Sequence, residues 1–490
     1  MSKNAAKYKL QTHRTQKVLL ALCAFAVNIT PTSVLGAIAQ SPSEEGGGIC
    51  ANQVGASIDQ ILQQPQNRRS RFGVLVATLT GGNTLYAREH LSYFTPASTT
   101  KLLTTAAALE AIGPDYRLRT SVYGTLNGTT APLLRLVGSS DPTIDAGKLQ
   151  SLAQQLAARG IRTVDRLQVE EAGFTGPTIN PTWQWEDIQS GYGAPVNSLI
   201  YNQNAIDIML WPTEIGQPLR ITWANPEEAA HWRIENKSQT VSPDQPEFVE
   251  VGRDLRQQVL YISGQLRFGS EPEDAAVAVV NPAENFLEHF RAALTREGIT
   301  VGTASVSLPD VGAIRESPLL AAVQSPTLAE LVTTTNQTSN NLYAEVLLRL
   351  LGLKGASNQA NATTADVGVQ VAKTILTSLG VDPQSHFMQD GSGLSRQNLV
   401  SPQALVQTLR GMAQSPYAAI YRAGLPSSGV GVQAKTGGMT GVSSLAGYVE
   451  APAYEPLVFG IIVNNSELRG ADRRKTINEI VLLLSRVRRC

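Results

Sequence analysis

The sequence predicts a mixed α/β (α+β) fold, and three patterns in it indicate this class. Apolar residues alternate over 72–80 and 84–88 around a Gly-Gly-Asn turn, which is typical of a β-hairpin. Helical apolar spacing covers three long later segments, at 327–352, 363–379 and 401–413. The chain then ends in two apolar strands and a helix, at 442–450, 457–463 and 471–487.

The middle of the chain is richer in strands. Strand and helix patterns alternate from 116 to about 169 and include an Asn-Gly turn at 127–128. Residues 205–275 are strand-like throughout and contain few helical signals. An Asn-Pro pair at 281–282 predicts a helix that runs to about residue 297, and a strand is predicted at 300–308.

An apolar run at 102–112 follows the stretch from Pro96 to Lys101 and stops at a Gly-Pro pair, which predicts a buried helix beginning near Ser98. Residues three apart share a helix face, so Ser98 and Lys101 lie within side-chain reach. A serine hydroxyl is a weak nucleophile without an adjacent base, and a lysine is a base only when its pKa is lowered. Taken alone, the pair favours a capping serine beside a solvated lysine, an interpretation that two later motifs reverse.

Length and charge narrow the classes of function. At 490 residues the chain exceeds a single ordinary domain, and its 40 basic and 40 acidic residues cancel. This balance gives no electrostatic case for a nucleic-acid partner. None of the five histidines stands in a metal-ligand spacing, so the sequence predicts neither a metal site nor a cofactor.

Basic residues near the N-terminus precede an apolar run at 18–27, and an Ala-Ile-Ala string follows at 37–39. This order is typical of a secretory signal peptide, here residues 1–39. An uncleaved membrane anchor is the alternative, although the apolar run is short for a membrane span. We expect an exported protein, periplasmic or associated with the cell wall, with no integral membrane segment after signal cleavage.

Signal cleavage would remove Cys23 and leave Cys50 and Cys490. Two cysteines in an oxidising compartment are compatible with a disulfide that joins the two ends of the mature chain. Two free thiols are the open alternative.

A second motif, Ser-Asn-Asn at 339–341, falls within a helical context. Residues two apart do not share a helix face, so Ser339 and Asn341 can converge on one cleft only from a turn or a helix start. Polar residues at a helix N-terminus are the alternative interpretation of this motif.

A third motif, Lys435, Thr436 and Gly437, comes just before the predicted strand at 442–450. An exposed strand edge can pair with an extended peptide through backbone hydrogen bonds. The lysine and threonine of such an edge can meanwhile hold a terminal carboxylate.

The three motifs, in this order, are together typical of penicillin-recognising acyl-serine enzymes. The chain resembles the class C, type 4 low-molecular-mass penicillin-binding proteins, which are D-Ala-D-Ala carboxypeptidases and endopeptidases. The resemblance runs from about residue 72 to the last helix and includes five longer strings: GSSDP at 138–142, WQWED at 183–187, YGAPV at 192–196, DGSGLSR at 390–396 and KTGGMTGVSSLAGY at 435–448.

The sequence departs from the family pattern in three places. Gly438 stands where the family usually has Thr or Ser, and Ser139 and Ser140 replace glycines of the GGGDP turn. The interval at 425–434 is shorter than is common in the family.

The resemblance implies a penicillin-binding-protein/β-lactamase-like transpeptidase domain, an antiparallel sheet flanked by helices, with two nested inserted domains. The expected domains are catalytic domain I at 50–115 and 310–490, inserted domain II at 116–205 and 276–309, and a β-rich domain III nested inside it at 206–275. The long separation of the first and second motifs fits these inserts.

The resemblance also implies roles for the first two motifs. Ser98 attacks the carbonyl of the penultimate D-Ala, with Lys101 as its general base. Ser339 relays the proton to the leaving group, and Asn341 hydrogen-bonds the amide of the substrate.

The third motif and the residue after it bind the substrate. By the resemblance, Lys435 supplies a positive charge that keeps Lys101 neutral, and it holds the terminal carboxylate together with Thr436. Gly437 and Gly438 continue the substrate-binding strand, and the backbone N–H groups of the serine nucleophile and Gly438 form the oxyanion hole.

Carboxypeptidases of this family recognise the free amino-carboxylate end of a meso-diaminopimelate side chain, and four residues match that pocket. Asp187 would take the ammonium group and Arg396 the carboxylate, with Tyr192 and Met439 as the walls. Ordinary surface ion pairs of Asp187 and Arg396 are the alternative.

The expected function is therefore that of a serine-type D-Ala-D-Ala carboxypeptidase/endopeptidase. Its expected partners are peptidoglycan peptides that end in D-Ala-D-Ala or have D-Ala-diaminopimelate cross-links, and β-lactams as inhibitors. A β-lactamase-like hydrolase is one alternative, which the long insert opposes. A penicillin-binding sensor is another, which the absence of a transmembrane sequence pattern after the signal peptide opposes.

Overall fold

The computed structural model of the protein describes residues 48–308, 317–355, 361–427 and 431–490. The predicted signal peptide at 1–39 lies outside the described residues. Among the helices that are described, none is long and apolar enough to cross a membrane.

The described residues form ten α-helices, numbered along the chain: α1 (Val54–Leu62), α2 (Thr100–Ile112), α3 (Ala146–Ala158), α4 (Pro282–Arg296), α5 (Leu328–Gln337), α6 (Asn341–Lys354), α7 (Thr364–Ser378), α8 (Pro402–Gln414), α9 (Ala418–Ala423) and α10 (Gly470–Leu484). They also form twenty strands: β1 (Ile49–Cys50), β2 (Arg71–Thr78), β3 (Thr84–Arg88), β4 (Arg119–Gly124), β5 (Thr130–Val137), β6 (Thr163–Glu170), β7 (Ala205–Trp211), β8 (Arg220–Trp223), β9 (Arg233–Val241), β10 (Phe248–Arg253), β11 (Val259–Arg267), β12 (Glu273–Ala278), β13 (Thr300–Ser307), β14 (Leu319–Gln324), β15 (His386–Phe387), β16 (Leu399–Val400), β17 (Val432–Met439), β18 (Val442–Val449), β19 (Leu457–Asn464) and β20 (Val487–Arg488).

Strands from the two ends of the chain form one five-stranded antiparallel sheet, in the order β17-β18-β19-β2-β3. Successive side chains of β2 point to opposite faces of this sheet. Leu75 and Ala77 join an apolar core with α2 and α8, and Val74 and Val76 join a second core with α1 and α10. The sheet is therefore covered by helices on both faces, as the family resemblance implies.

Helix α2 lies at the centre of the larger core. Its residues from Thr100 to Leu109 are all buried, and it packs against α5, α6, α7 and α8. It ends at Gly113, whose φ of 90° favours glycine. The α-helix begins two residues after Ser98, because Ala97–Thr99 form a single 3₁₀ turn in front of it.

The helix predicted at 327–352 is broken into α5 and α6. Ser339, between them, has a φ of 58°, a left-handed conformation that cannot continue a right-handed helix. Asn340 then caps α6, since its Oδ1 accepts a hydrogen bond from the backbone N–H of Tyr343 at 3.0 Å. The break places Ser339 in a turn and Asn341 at a helix start, the arrangement that their convergence requires.

A second five-stranded sheet, β13-β6-β5-β4-β14, has parallel and antiparallel pairs and is covered by α3 and α4. Residues 205–278 form two three-stranded sheets, β12-β7-β8 and β10-β11-β9, around a separate apolar core. Because β14 pairs with β4, the second sheet includes a strand from beyond residue 309. The division into domains I, II and III stays a prediction.

Cys50 and Cys490 form a disulfide across a sequence separation of 440 residues. Beside it, β1 and β20 pair in parallel, so the two ends of the described chain lie together. Of the two alternatives that the sequence leaves open, the structure contains the disulfide.

We expect the variant with Cys50→Ser and Cys490→Ser to lose about 2–4 kcal/mol of unfolding free energy, because the bridge closes a very long loop in the unfolded chain. Urea unfolding of the oxidised wild type and of the variant measures this difference. Reductant should lower the stability of the wild type and leave the variant unchanged. Equal unfolding midpoints for the two oxidised proteins would contradict the expectation.

Candidate active site

Ser98 lies in the 3₁₀ turn Ala97–Thr99, in front of the buried helix α2. The turn begins at Ala97, which has a left-handed φ of 51°. The carbonyl of Pro96 is fixed from the sheet, since it accepts a hydrogen bond from the hydroxyl of Ser444 at 2.6 Å. Ser98 is half-buried whereas its neighbours are buried, so its hydroxyl faces a cleft from a fixed position.

The amine of Lys101 connects the first two motifs. Its Nζ lies 3.0 Å from Ser98 Oγ, 2.7 Å from Asn341 Oδ1 and 2.7 Å from the carbonyl oxygen of Ser392. The side chain is completely buried. The predicted proximity of Ser98 and Lys101 is therefore present, and it includes Asn341.

Burial lowers the pKa of Lys101 from its usual 10.5 to about 7, because desolvation disfavours the charged form. The negative charges of Asp390 and Glu345 oppose this shift by raising the pKa. A large fraction of Lys101 is consequently a neutral amine near neutral pH, a form that can accept the proton of a hydroxyl.

Lys435 connects the second and third motifs. Its Nζ donates to Ser339 Oγ and to the carbonyl of Thr436, each at 2.9 Å. Burial, and then the charge of Lys101, lowers the pKa of Lys435 well below its usual value. The charge of Lys101 thus disfavours a charge on Lys435, and both buried amines have pKa values below the usual value of lysine.

Strand β17 passes directly in front of the Ser98 turn. A Cβ at Gly437 would come within 2.9 Å of the backbone N of Ser98 and 2.8 Å of the carbonyl oxygen of Pro96, so this approach requires glycine. A Cβ at Gly438 would meet nothing within 4 Å, and Thr436 is exposed. As an edge strand of the described sheet, β17 stands where an extended peptide can add.

The segment containing Tyr192 forms another wall. Asn341 Nδ2 donates to the backbone carbonyl of Tyr192 at 2.9 Å, and the Tyr192 hydroxyl donates to Asp187 Oδ1 at 3.1 Å. Burial raises the pKa of Asp187, and the hydrogen bond from Tyr192 and the charge of Arg396 partly offset the rise. The structure therefore brings Asp187 and Tyr192 of the predicted pocket into direct contact.

Arg396 lies at the same end of the site. Its Nε donates to Gln184 Oε1 at 3.0 Å and its Nη1 to the carbonyl of Thr440 at 3.1 Å. Thr440 directly follows Met439, which is half-buried at the end of β17. Neither Arg396 nor Asp187 takes part in an ion pair among the described residues, and the pocket that they are predicted to form stays a prediction.

Three groups beneath Lys101 are not indicated by the sequence motifs. Glu345 on α6 is fully buried, and its Oε1 accepts hydrogen bonds from the backbone N–H groups of Gly391 and Ser392, both at 2.9 Å. Asp390 is also fully buried. The third group is the Ser392 carbonyl, which contacts Lys101 directly.

A signal for Glu345 exists in the sequence. Glu345 and Arg349 are the only charged residues in the apolar run at 342–351, and they stand four apart, which places them on one helix face. They form a buried pair with 3.5 Å between Oε2 and Nη1. No residue type could have indicated the Ser392 carbonyl, because every residue has one.

In the part of the chain that is described, no group of three or more His, Cys, Asp or Glu side chains is arranged to hold a metal ion.

Comparison with known proteins extends over almost the whole chain. Residues 54–487 match the D-Ala-D-Ala carboxypeptidase 3 (S13) family. The chain is 31% identical over 470 residues to a D-alanyl-D-alanine carboxypeptidase of Actinomadura sp. (strain R39), covering 89% of this chain and 85% of that protein. It is 27% identical over 463 residues to penicillin-sensitive carboxypeptidase A of Dictyostelium discoideum, covering 85% and 87% respectively.

The fold is similar to that of penicillin binding protein 4 (dacB) from Haemophilus influenzae, whose crystal structure superposes with a TM-score of 0.73. The two chains are 22% identical, and the match covers 87% of this chain and 98% of that one. This similarity confirms the predicted penicillin-binding-protein fold. With its family match over residues 54–487, the chain belongs to the D-Ala-D-Ala carboxypeptidase 3 (S13) family, that of the type 4 low-molecular-mass penicillin-binding proteins.

Proposed function

We propose that this chain is a serine-type D-Ala-D-Ala carboxypeptidase/endopeptidase that works through an acyl-enzyme at Ser98. The observation that carries the proposal is the 3.0 Å contact between Ser98 Oγ and the buried amine of Lys101. A neutral amine at this distance can take the hydroxyl proton as the oxygen attacks. The family match and the names of the relatives support the D-Ala-D-Ala bond as the one that is cleaved.

In the acylation step, Ser98 Oγ attacks the carbonyl carbon of the penultimate D-Ala and Lys101 receives the hydroxyl proton. The backbone N–H groups of Ser98 and Gly438 hold the negative oxygen that develops. The close approach of Gly437 to the serine turn supports this arrangement, since it sets the distance between the two segments. Loss of one such donor costs about 100- to 1000-fold in rate in acyl-transfer enzymes.

The leaving amine then needs a proton. The hydroxyl of Ser339 is placed to relay this proton, because it accepts a hydrogen bond from Lys435 Nζ at 2.9 Å. We assign Ser339 to relay to the D-Ala nitrogen, as the C–N bond breaks, the proton that Lys101 took from Ser98, so that Lys101 is neutral again. D-Ala departs, and water then hydrolyses the ester to regenerate the Ser98 hydroxyl.

The terminal carboxylate of the substrate fits Lys435 and Thr436. An anion beside a buried lysine favours its charged form, so substrate binding would raise the pKa of Lys435 again. The charge on Lys435 would in turn disfavour a proton on Lys101. In this way the substrate itself would prepare the general base.

Asn341 serves the site with both ends of its amide. Its Oδ1 holds Lys101, and one N–H of Nδ2 is used by the Tyr192 carbonyl. A side-chain amide has two N–H donors, so the second is available for the amide carbonyl of the substrate.

A β-lactam would follow the same path as far as the acyl-enzyme. Its opened ring stays attached, so no leaving group vacates the cleft for water. The name of the Dictyostelium relative, a penicillin-sensitive carboxypeptidase, supports this part of the proposal. We further propose that the enzyme is exported and acts on peptidoglycan peptides and their D-Ala-diaminopimelate cross-links.

Ser98→Ala should abolish both D-Ala release and labelling by benzylpenicillin, since no other hydroxyl contacts Lys101 Nζ among the bonds of the described chain. Mass spectrometry after digestion locates the adduct in the wild type. Ser485→Ala is the matched control, because in the described part of the chain that hydroxyl is bonded only to the carbonyl of Leu482, at the end of α10. Labelling of folded Ser98→Ala protein at wild-type rates would refute the assignment.

The rate of acylation by benzylpenicillin should rise with pH through about 7 and then level off. The pKa of Lys101 is lowered to about 7, and only the deprotonated amine can accept the Ser98 proton, so the rate is lost as pH falls. Rate constants measured across the neutral range give the midpoint directly. A rate that is flat with pH, or that falls as pH rises, is incompatible with Lys101 as the base.

Arg396→Ala should slow D-Ala release from a diaminopimelate peptide by about 10- to 100-fold in kcat/KM, since two hydrogen bonds to a charged group are lost. A peptide with lysine in place of diaminopimelate lacks the side-chain carboxylate and should be affected little. Comparison of the two peptides on the wild type and the variant isolates the pocket. Equal losses on both peptides, or no loss on either, would argue against it.

A further inference from the structure

A buried charge cluster lies directly beneath the proposed general base. Glu345 and Asp390 are completely buried, and Arg349 is 3% exposed. Glu345 stands on α6 one turn after Asn341, so the helix that supplies Asn341 to Lys101 also supplies this carboxylate. None of the three charged groups contacts the Ser98 hydroxyl.

Glu345 uses both of its oxygens. Oε1 accepts the backbone N–H groups of Gly391 and Ser392 at 2.9 Å each, and Oε2 pairs with Arg349 Nη1 at 3.5 Å. The peptide group that follows is held from two sides, because Glu345 fixes the backbone before it and its own N–H, that of Gly393, donates to Asp390 Oδ1 at 2.7 Å. It contains the Ser392 carbonyl, which lies 2.7 Å from Lys101 Nζ.

The partners of Lys101 decide where its lone pair points. A neutral amine has two N–H donors and one lone pair, and a carbonyl oxygen can only accept. Asn341 Oδ1 and the Ser392 carbonyl take both donors at 2.7 Å. The orientation of the Asn341 amide is itself fixed, because its Nδ2 must donate to the Tyr192 carbonyl. The lone pair is left for the Ser98 hydroxyl.

We propose that Glu345 is a positioning residue for the general base: by holding the Gly391–Ser392 backbone, it aims the lone pair of Lys101 at Ser98. The inference rests on the proposed function, in which Lys101 takes the Ser98 proton. Without Glu345, the Gly391–Ser392 backbone loses two hydrogen bonds, and the peptide group of the Ser392 carbonyl keeps the bond from Gly393 N–H to Asp390 Oδ1. The carbonyl can then shift, and the amine can donate to the hydroxyl instead of accepting from it.

The charges around Lys101 make the pH dependence of the acylation rate a second measurement that tests the proposal. Asp390 and Glu345 raise the pKa of Lys101, and the nearby amine of Lys435 on β17 has its own pKa lowered by burial and by the charge of Lys101. Tyr421 on α9 donates its hydroxyl to the backbone of α2. Burial raises the pKa of Glu345 to about 7, with the Arg349 guanidinium opposing the rise, so this carboxylate is charged in the upper part of the neutral range. Removal of that charge lowers the pKa of Lys101, and the rise of rate with pH moves to lower pH.

Three variants test the inference through the rate constant of benzylpenicillin acylation as a function of pH. E345A removes the acceptor and should lose about 100-fold, the order expected for a misplacement of about 1 Å. E345Q keeps an acceptor oxygen and should lose less, with the rising limb of the profile shifted to lower pH. In E345Q/R349M no unpaired guanidinium is left, so this variant gives the test if the single variants do not fold.

A purely structural Glu345 predicts another pattern. The variants would melt earlier, but the folded protein would acylate with the rate and pH profile of the wild type. That result in E345Q and in E345Q/R349M overturns the proposal. Ser98→Ala distinguishes failure of the proposed function from failure of the positioning role. Persistent penicillin labelling of Ser98→Ala refutes the proposed function itself. If Ser98→Ala is not labelled but the Glu345 variants acylate like the wild type, only the positioning role is refuted.

Discussion

The burial of one amine is the constraint on which the rest of the site depends. Lys101 projects from the first turn of α2, a helix without a solvent-facing side over its first ten residues. Desolvation there removes the usual preference for the ammonium ion, at a cost that only well-placed acceptors can offset. Helix α6 and the loop at 390–396 supply those acceptors, so their packing against α2 is part of the chemistry.

The sequence predicted the motif residues but not how they are held. Three short motifs, separated by long stretches of chain, indicate the nucleophile, the base and the substrate strand because the chemistry requires those residue types. The prediction of one continuous helix at 327–352 was wrong at Ser339. The apolar spacing on either side of 338–340 contains no signal for a residue in a left-handed conformation. The Ser392 carbonyl had no signal at all, whereas the pair of Glu345 and Arg349 was readable as two charges in an apolar helix.

Assembly of the site is a tertiary problem. The Ser98 turn, the start of α6, strand β17 and the Tyr192 segment are distant in sequence, and each contacts at least one of the others. Contacts of this kind form only after long loops have closed, so local propensity contributes little to them. The central sheet brings some of these segments together, because it pairs strands from both ends of the chain.

The missing side chain of Gly437 limits how this protein could evade an inhibitor. Resistance to an inhibitor commonly arises when a residue is substituted by a larger one that fills the space of the inhibitor. At position 437 that route is closed, because a Cβ there would collide with the backbone of the serine turn, which cannot withdraw without moving the nucleophile. Resistance by bulk would have to arise at open positions such as Gly438, where an added side chain meets nothing within 4 Å.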